Sequence, residues 1–600
     1  MKGSHWKVLV VDPGTVRIIS AVCKMDDLIE HNVTLTENLE LKRKPIPEMD
    51  AVYFISPTEH SVDILLKDFK DKKKPQYKAA HVWFASHVND DLMKKIGDHT
   101  NLMARLVALE ELYVDFLAYE GHTFHLDRPD ALLPYFSPEY VGQLPVEIEE
   151  TAAKLTSLCY TLGEIPFIRY AQSSSKCEKL AQELLRRLNA LKEMDEQFTK
   201  RKKGVPATLL LMDRSVDPLS PILHEFSYQA MCYDVLDVDP KVQTLKNSNK
   251  DEPLALTEQS TANLWTKLRH DHIAEVTDSI VSNFNEFLSS NAAQNTANVS
   301  AVTDLSDLAQ IIKRLPQYKE TLSTFSAHID VLSQLFGAVK ARRLLELAEW
   351  EQNLATAVDS EGNSLKAGAS LAKILPLLRD PSMSVEDKLR LLMTFFVTQE
   401  ELNDKQRNEL FDIAKLSPDD QNAITNLRFL GVSLRANKKS KKAREAALKK
   451  KYGKDEFKFP VSRYVPPLRD IVEEGLQGKL NEQAYPYMGE IPIIKKTGKN
   501  KKQAAASQNP SQQSSSYRTN TLDFLGRTQE DTLKDAIEEV IEEQDAAPFI
   551  VFIAGGVTYS EMKLAYQMSG SNPVFVGGSF PLCPTSYVDL VRRIKKRETL

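Results

Sequence analysis

Asp213 and Asp217 are the first side chains in this sequence placed to do chemistry. They flank the end of the apolar run Ala207–Met212, and α/β proteins place their active sites at the carboxyl ends of strands. Two carboxylates on one loop could hold a metal for phosphoryl chemistry. Arg214 stands between them and Pro218 follows, so an ion pair and a turn cap explain the same residues. Gly555 and Gly556 follow a strand pattern and precede a helix, a place where phosphate could bind. Adjacent glycines also serve tight turns. Together, Asp213, Asp217, Gly555 and Gly556 define one reading, an α/β enzyme or nucleotide binder. His270 and His272 resemble a metal pair, but on a helix positions i and i+2 point about 200° apart and cannot share an ion. Cys23, Cys159, Cys177, Cys232 and Cys583 have no histidine nearby to activate a thiolate. P-loop, GxGxxG, GxSxG and HExxH patterns are absent from the sequence. These residues favour a large interaction protein over an enzyme, with no cofactor and no metal.

The elements that would carry these residues alternate strand and helix. Trp6–Val11, Ala51–Ile55, Ala80–Phe84 and Tyr113–Leu117 read as strands, with helices over Ser61–Phe69 and Asp90–Ile96. That alternation predicts a parallel sheet covered on both faces, in a first domain spanning 1–112. Helices at Ile148–Gly163 and Cys177–Asp195 lead to the strand Ala207–Met212. The same grammar returns at Phe549–Ile553, Ser560–Met568 and Pro573–Val576. A discontinuous α/β domain, 113–225 and 456–600, is therefore interrupted by a helical insertion over 226–455. Within it, Leu315, Tyr318, Leu322, Phe325, Ile329, Leu332, Phe336 and Val339 keep heptad spacing. The seam is either intramolecular core or, in part, a surface for a partner helix. Pro316, after Lys313, Arg314 and Leu315, either starts a helix or bends one, which makes the segment a candidate switch.

Lys+Arg 77 against Asp+Glu 83 gives a net charge of −6, which argues against a dedicated nucleic-acid binder. The scattered cysteines fit a reduced, cytoplasmic protein. No apolar run approaches the ~20 residues that span a bilayer, so membrane contact is expected only peripherally, through partners. The Lys/Arg-rich run 438–454 is either a solvated face or a contact for anionic lipid. The segment 495–520, Lys-rich and then Ser/Gln/Ala-rich, reads as a disordered loop.

Several segments, in order along the chain, resemble one family. They are Trp6–Asp12 (WKVLVVD), Leu210–Asp234 (LLMDRSVDPLSPILHEFSYQAMCYD), Leu268–Val276 (LRHDHIAEV), Leu315–Tyr318 (LPQY) and Ile553–Val557 (IAGGV). The family is the SM family of syntaxin-binding proteins, Munc/Unc type, and the resemblance is strongest to its exocytic plasma-membrane branch. It implies a three-domain arch of two parallel-sheet α/β domains and a large helical insertion with a protruding helical hairpin. The implied activity is non-enzymatic: binding a syntaxin-type SNARE and templating SNARE assembly for vesicle docking and fusion. The implied partners are syntaxin, in its closed form and through its N-terminal peptide, the assembled SNARE complex and a vesicle-side SNARE. The protein would act as a monomer or a 1:1 heterodimer with syntaxin, reaching the plasma membrane through it.

The resemblance also assigns residues. Asp12, Arg17, Lys24, Lys42 and Arg43 match positions that contact closed syntaxin. Val88, Met93, Leu106, Leu109 and Glu111 match the pocket for the syntaxin N-terminal peptide. Lys313, Arg314, Leu315, Pro316, Leu322 and Ile329 match the arm that templates SNARE helices. Family members usually carry a further helix before the first strand, and here Trp6 stands almost at the start.

Overall fold

A computed structural model describes residues 6–195, 198, 205–236, 238–241, 243–245, 254–257, 264–290, 319–365, 367–398, 402–432, 447–453, 457–489 and 547–595. Its first unit runs β1 (Lys7–Val11), α1 (Pro13–Val22), α2 (Met25–Glu30), β2 (Val33–Asn38), β3 (Asp50–Ile55), α3 (Glu59–Asp68), β4 (Ala80–Phe84), α4 (Asp90–Gly97), α5 (Thr100–Met103) and β5 (Leu106–Glu111). The strands form a parallel sheet in the order β2-β1-β3-β4-β5. β1 is apolar from Val8 to Val11 because both its faces are covered. Val8 and Val10 enter one core with Val62 and Leu65 of α3, while Leu9 and Val11 enter another beside Val16 and Ile19 of α1.

The expected strand Tyr113–Leu117 is not formed. The sheet is instead completed by β2 beside β1 and β5 beside β4, and Tyr113 takes a left-handed φ of 53° that breaks any extended ladder. The chain leaves the first sheet there, and Leu117 opens a different strand.

β6 (Leu117–Glu120), β7 (Thr123–His125), α6 (Leu132–Phe136), α7 (Leu144–Leu162), β8 (Phe167–Tyr170), α8 (Ser175–Met194) and β9 (Thr208–Asp213) belong to the second unit. Its sheet is mixed, in the order Tyr487–Met488, β8, β9, Phe549–Ala554, Val574–Gly578, β7, β6. β9 pairs in parallel with Phe549–Ala554, register Thr208↔Phe549 to Asp213↔Ala554. Strands from both ends of the chain are thus neighbours, and the helices between them begin and end on one sheet.

Those helices share the core of that sheet. Leu354, Phe395 and Leu427 are buried in one cluster with Ile550, Phe552 and Val591. Arg592 of the helix Pro584–Arg593 adds a polar clamp to Asp420 at 2.7 Å and Glu386 at 2.8 Å. The helix Lys319–Ala341 packs beside Ile273–Ser290, with the rings of Phe284 and Phe325 5.4 Å apart. The segments 291–318, 433–446 and 490–546 lie outside the described residues, and with them the turn of the expected hairpin, most of the basic run and the expected disordered loop.

A buried charge network holds the helices to the loop after β9. His224 sits between Glu351, 2.9 Å away, and Asp387, 3.7 Å away, while Arg390 grips Asp234 at 2.6 Å. Burial and the nearby Arg390 pull the imidazole down, but Glu351 and Asp387 outweigh them and leave its pKa above the ordinary 6.5. Asp387 is desolvated yet held below the usual carboxylate range by His224 and Arg342, and Asp234 is held down by Arg390. The imidazolium's contribution is fully present below 6.5 and is lost as pH rises through the higher folded value. The carboxylate contribution is present above 3.8 and is lost as pH falls through the lower folded values. We therefore expect thermal stability to decline above neutrality, and His224→Gln to flatten that alkaline limb. Melting curves from pH 5 to 9 would test this, and an unchanged slope in the mutant would refute it.

Candidate functional site

Asp12 caps α1, and its carboxylate is fully occupied within the first unit. Oδ1 accepts from the Gly14 and Thr15 amides at 3.1 and 2.9 Å, and Oδ2 from the Ser56 amide at 2.5 Å and the Ser61 hydroxyl at 3.1 Å. It is 3% exposed. Asp12 therefore orients α1 and leaves no oxygen facing a partner. Arg43 is likewise internal: it pairs with Asp68 at 2.9 Å and donates to the Leu39 carbonyl. Lys42 beside it is exposed.

Arg17 projects from α1 across the seam to the second unit, where it forms an ion pair with Asp127 just beyond β7. Both side chains remain about a quarter exposed. Asp127 itself has a left-handed φ of 56°. Lys24 is exposed at the start of α2, among the exposed apolar side chains of Val22, Met25 and Ile29. Met25 and Ile29 are four residues apart, so they share one helix face. Arg17 and Lys24 thus reach the surface, Lys24 beside exposed apolar residues, whereas Asp12 and Arg43 are spent inside the unit.

On the other side of the sheet, Val88 is core, 1% exposed, whereas Met93 on α4 is 38% exposed. Leu106 and Leu109 of the edge strand β5 are half-buried against the same core. The Glu111 carboxylate accepts from the Val88 amide at 2.9 Å and the Tyr113 hydroxyl at 2.9 Å, and lies 3.2 Å from His87 Nδ1. Met103 and Val107 add exposed apolar surface at 45% and 63%. These two escaped the sequence reading, although Val107 lies inside the same strand as Leu106 and Leu109. β5 is the outermost strand of its sheet among the described residues, carrying half-buried Leu106 and Leu109 and ending on the anchored Glu111 carboxylate.

Of the expected arm, Lys313 to Pro316 lie outside the described residues, and so does the side chain of Leu322. Phe325, Ile329 and Leu332 are buried, together with Ala327, His328, Val331 and Leu335 of the same helix. That part of the seam is core in this structure, and presenting Ile329 to a partner requires the helix to move.

The residues of the enzyme reading are consumed by structure. Asp213 Oδ1 accepts from the Ser215 amide and hydroxyl at 3.1 and 2.5 Å. Asp217 caps the Leu219 and Ser220 amides and accepts from the Tyr464 hydroxyl at 3.0 Å. Arg214, between them, donates to Glu561 at 2.6 and 2.7 Å and to the Gly556 carbonyl. Gly556, at φ 115°, passes so close to Leu582 that a Cβ would lie 2.5 Å from its Cγ. The glycines thus serve a tight crossing, not a phosphate cradle. His270 and His272 are in the connector between helices rather than on one. His270 packs on Tyr566, and His272 stacks on Phe459 at 3.6 Å. Burial raises the Cys159 thiol to about 12. Among the described residues, no group of three or more His, Cys, Asp or Glu could hold a metal, and no helix is long and apolar enough to cross a membrane.

The chain is similar to known proteins along nearly its whole length. The profile of the Sec1 family matches residues 7–590. The protein transport protein sec1 of Dictyostelium discoideum is 32% identical over 98% of this chain and 95% of its own length. The SNARE-interacting protein KEULE of Arabidopsis thaliana is 29% identical over 94% of this chain and 88% of its own. The fold matches a chain of the Unc18–syntaxin 1 complex from Monosiga brevicollis with a TM-score of 0.77, at 26% identity, over 99% of this chain and 97% of that one.

Proposed function

The chain belongs to the Sec1 family, and from that premise we propose that it is a non-enzymatic SNARE regulator. It binds a syntaxin-type SNARE and templates SNARE assembly for vesicle docking and fusion in exocytosis. The observation that carries this reading is the end-to-end likeness, in sequence and fold, to an Unc18 seen with syntaxin. Closed syntaxin lies on the α1–α2 side, where Arg17, Lys24 and Lys42 face it. Asp12 and Arg43 act there by holding α1 and the loop after β2 in place. The syntaxin N-terminal peptide lies at β5, with Met93, Leu106 and Leu109 as the apolar contact and Glu111 as the acceptor for a basic residue. Val88 forms the floor beneath. The helical arm receives a vesicle-side SNARE and the assembled complex. The protein works in the cytoplasm, as a monomer or a 1:1 heterodimer with syntaxin, and reaches the plasma membrane through it.

Met93→Glu tests the peptide site, because Met93 is exposed enough for the variant to fold. A charge set against an apolar side chain costs about 1–3 kcal/mol, so binding of a syntaxin N-terminal peptide should fall roughly tenfold or more. Binding of the closed syntaxin cytoplasmic segment should be largely retained. Calorimetry reads both. Nucleotides and divalent metals titrated in parallel should give no heat. Absence of peptide binding to the unmutated protein, or a clear nucleotide isotherm, would overturn the reading.

A further inference from the structure

The helix Lys319–Ala341 buries one side chain that its apolar surroundings do not call for. His328 is fully buried between Ala327 and Ile329, while Ile329, Leu332 and Leu335 enter one apolar core with Trp265 and Val276. Nδ1 of His328 lies 2.9 Å from the hydroxyl of Tyr228, which opens the helix Tyr228–Val235 and is equally buried. The Tyr228 ring packs in turn on Trp265, with 5.3 Å between centroids. Nε2 of His328 has no partner among the described residues. Both tautomers leave it bare. With Tyr228 donating to Nδ1, the Nε2–H lacks an acceptor; with Nδ1–H donating, the Nε2 lone pair lacks a donor. A buried polar group without a partner has lost its water and gained nothing in return. The apolar core thus holds the helix, the Tyr228 bond fixes its position, and the bare Nε2 limits how firmly it is held. Presenting Ile329 to a partner requires this helix to move, and a movement that brings His328 to water satisfies Nε2.

We infer that His328 and Tyr228 form a latch that positions the arm: paired and neutral, they hold Ile329 in the core, and their separation releases the helix toward a vesicle-side SNARE. The inference rests on the reading that the arm receives that SNARE. His328 is a positioning residue and acts through Ile329.

The ring also makes release sensitive to acid. Burial pushes it down to about 4 from the ordinary 6.5. Tyr228 and, beyond it, Cys232 are pushed up by burial and stay neutral. Asp234 and Glu351, on the neighbouring helices Tyr228–Val235 and Leu344–Thr356, are spent on Arg390 and His224. The other charged residues of the packed helices, Asp330, Asp278, Glu286, Glu346 and Glu349 among them, are exposed or half-buried, and none contributes to the shift. Packing of the neutral ring is fully favourable above 6.5. Below it the released ring takes up a proton that the packed ring refuses until about 4. Between pH 7.0 and 5.5 release should therefore rise about eightfold.

The test uses the full chain. Hydrogen exchange over 324–341, corrected for the intrinsic rate, reads release, and fluorescence anisotropy reads binding of the cytoplasmic segment of a vesicle-side SNARE. Tyr228→Phe leaves both ring nitrogens bare and should speed exchange and tighten binding about fivefold, the range of one hydrogen bond. Tyr228→Phe combined with His328→Leu makes the contact apolar on both sides and should reverse both changes. His328→Gln keeps an acceptor for the Tyr228 hydroxyl without titrating, so it should behave like wild type at pH 7.0 and lose the gain at pH 5.5. Exchange unmoved by Tyr228→Phe, or an acid gain that survives in His328→Gln, overturns the latch while the arm reading stands. Exchange that moves as expected with binding unchanged in every variant, or no binding of this SNARE to the wild type, overturns the arm as a receiving surface and the positioning role with it.

Discussion

Glu561→Ala should cost about 3–5 kcal/mol of stability, the largest loss we expect from any single substitution in this chain. Arg214 and Glu561 are both fully buried and meet through two parallel hydrogen bonds, Nη1 to Oε2 at 2.7 Å and Nη2 to Oε1 at 2.6 Å. Glu561 also accepts from the Thr558 amide at 2.9 Å, closing the cap of the helix Tyr559–Met568. Removing the carboxylate leaves a desolvated guanidinium bonded only to the Asp217 and Gly556 carbonyls, with the Asp217 carboxylate acting on it without a direct bond and already engaged by Leu219, Ser220 and Tyr464. The pair joins the loop after β9 to the helix after Phe549–Ala554, one from before the helical insertion and one from after it. Its loss should therefore loosen the return of the chain to the sheet. Urea unfolding followed by circular dichroism would measure the cost. Arg214→Met combined with Glu561→Leu should recover part of the loss, since it removes the unpaired charge. A loss below about 1 kcal/mol in Glu561→Ala would mean that water reaches the site and that the pair does not close the domain.

That ion pair shows where sequence reading stops. Asp213-Arg214-Ser-Val-Asp217 has the look of a catalytic loop because its carboxylates are close in sequence. The partner that decides the role of Arg214 is Glu561, 347 positions away. Asp12 is the same case: two of the groups that occupy it, Ser56 and Ser61, belong to later elements. Strands covered on both faces were legible as apolar runs, and β1, β3, β4, β9 and Phe549–Ala554 lie within a residue or so of expectation. β5 was not, because an edge strand is half-exposed and this one ends in Glu110 and Glu111. The apolar, aromatic-rich Tyr113–Leu117 looked more strand-like, yet it is the bend between two units. From 319 to 339 the heptad seam was legible as a helix, but not as one buried on more than its seam, since Ala327 and His328 lie off the heptad positions. Local pattern carries the elements, and long-range pairing carries the site.

Arg17→Glu should weaken binding of the closed syntaxin cytoplasmic segment by about 2–5 kcal/mol, and Asp127→Asn should strengthen it. In the free protein Arg17 is held by Asp127, 110 positions away and on the other unit. If Arg17 contacts syntaxin as proposed, the partner carboxylate must displace Asp127, which would then be an internal competitor. The His125 ring beneath does not take its place: burial, with Arg17 and Lys154 nearby, pushes it down to about 3, so that ring stays neutral. Two other ties across the seam survive the exchange. Lys154 holds Asp115 at 2.5 Å, and the Thr161 hydroxyl donates to the Tyr113 carbonyl at 2.9 Å. Asp127→Asn keeps the shape of the residue and removes its charge. It frees Arg17 for the price of one ion pair whose side chains are a quarter exposed, about 1 kcal/mol, which converts to roughly fivefold tighter binding. The gain should lie mainly in association rate and should fade as salt is raised, because an exposed charge steers encounter more than it holds the complex. Arg17→Glu sets two carboxylates against each other across the seam, so hydrogen exchange over 113–127 should rise in that variant and stay near wild type in Asp127→Asn. Stopped-flow association with syntaxin at two salt concentrations reads the first effect. If Asp127→Asn leaves association and affinity unchanged while Arg17→Glu weakens both and loosens the seam, Arg17 is a strut between the two units and not a syntaxin contact.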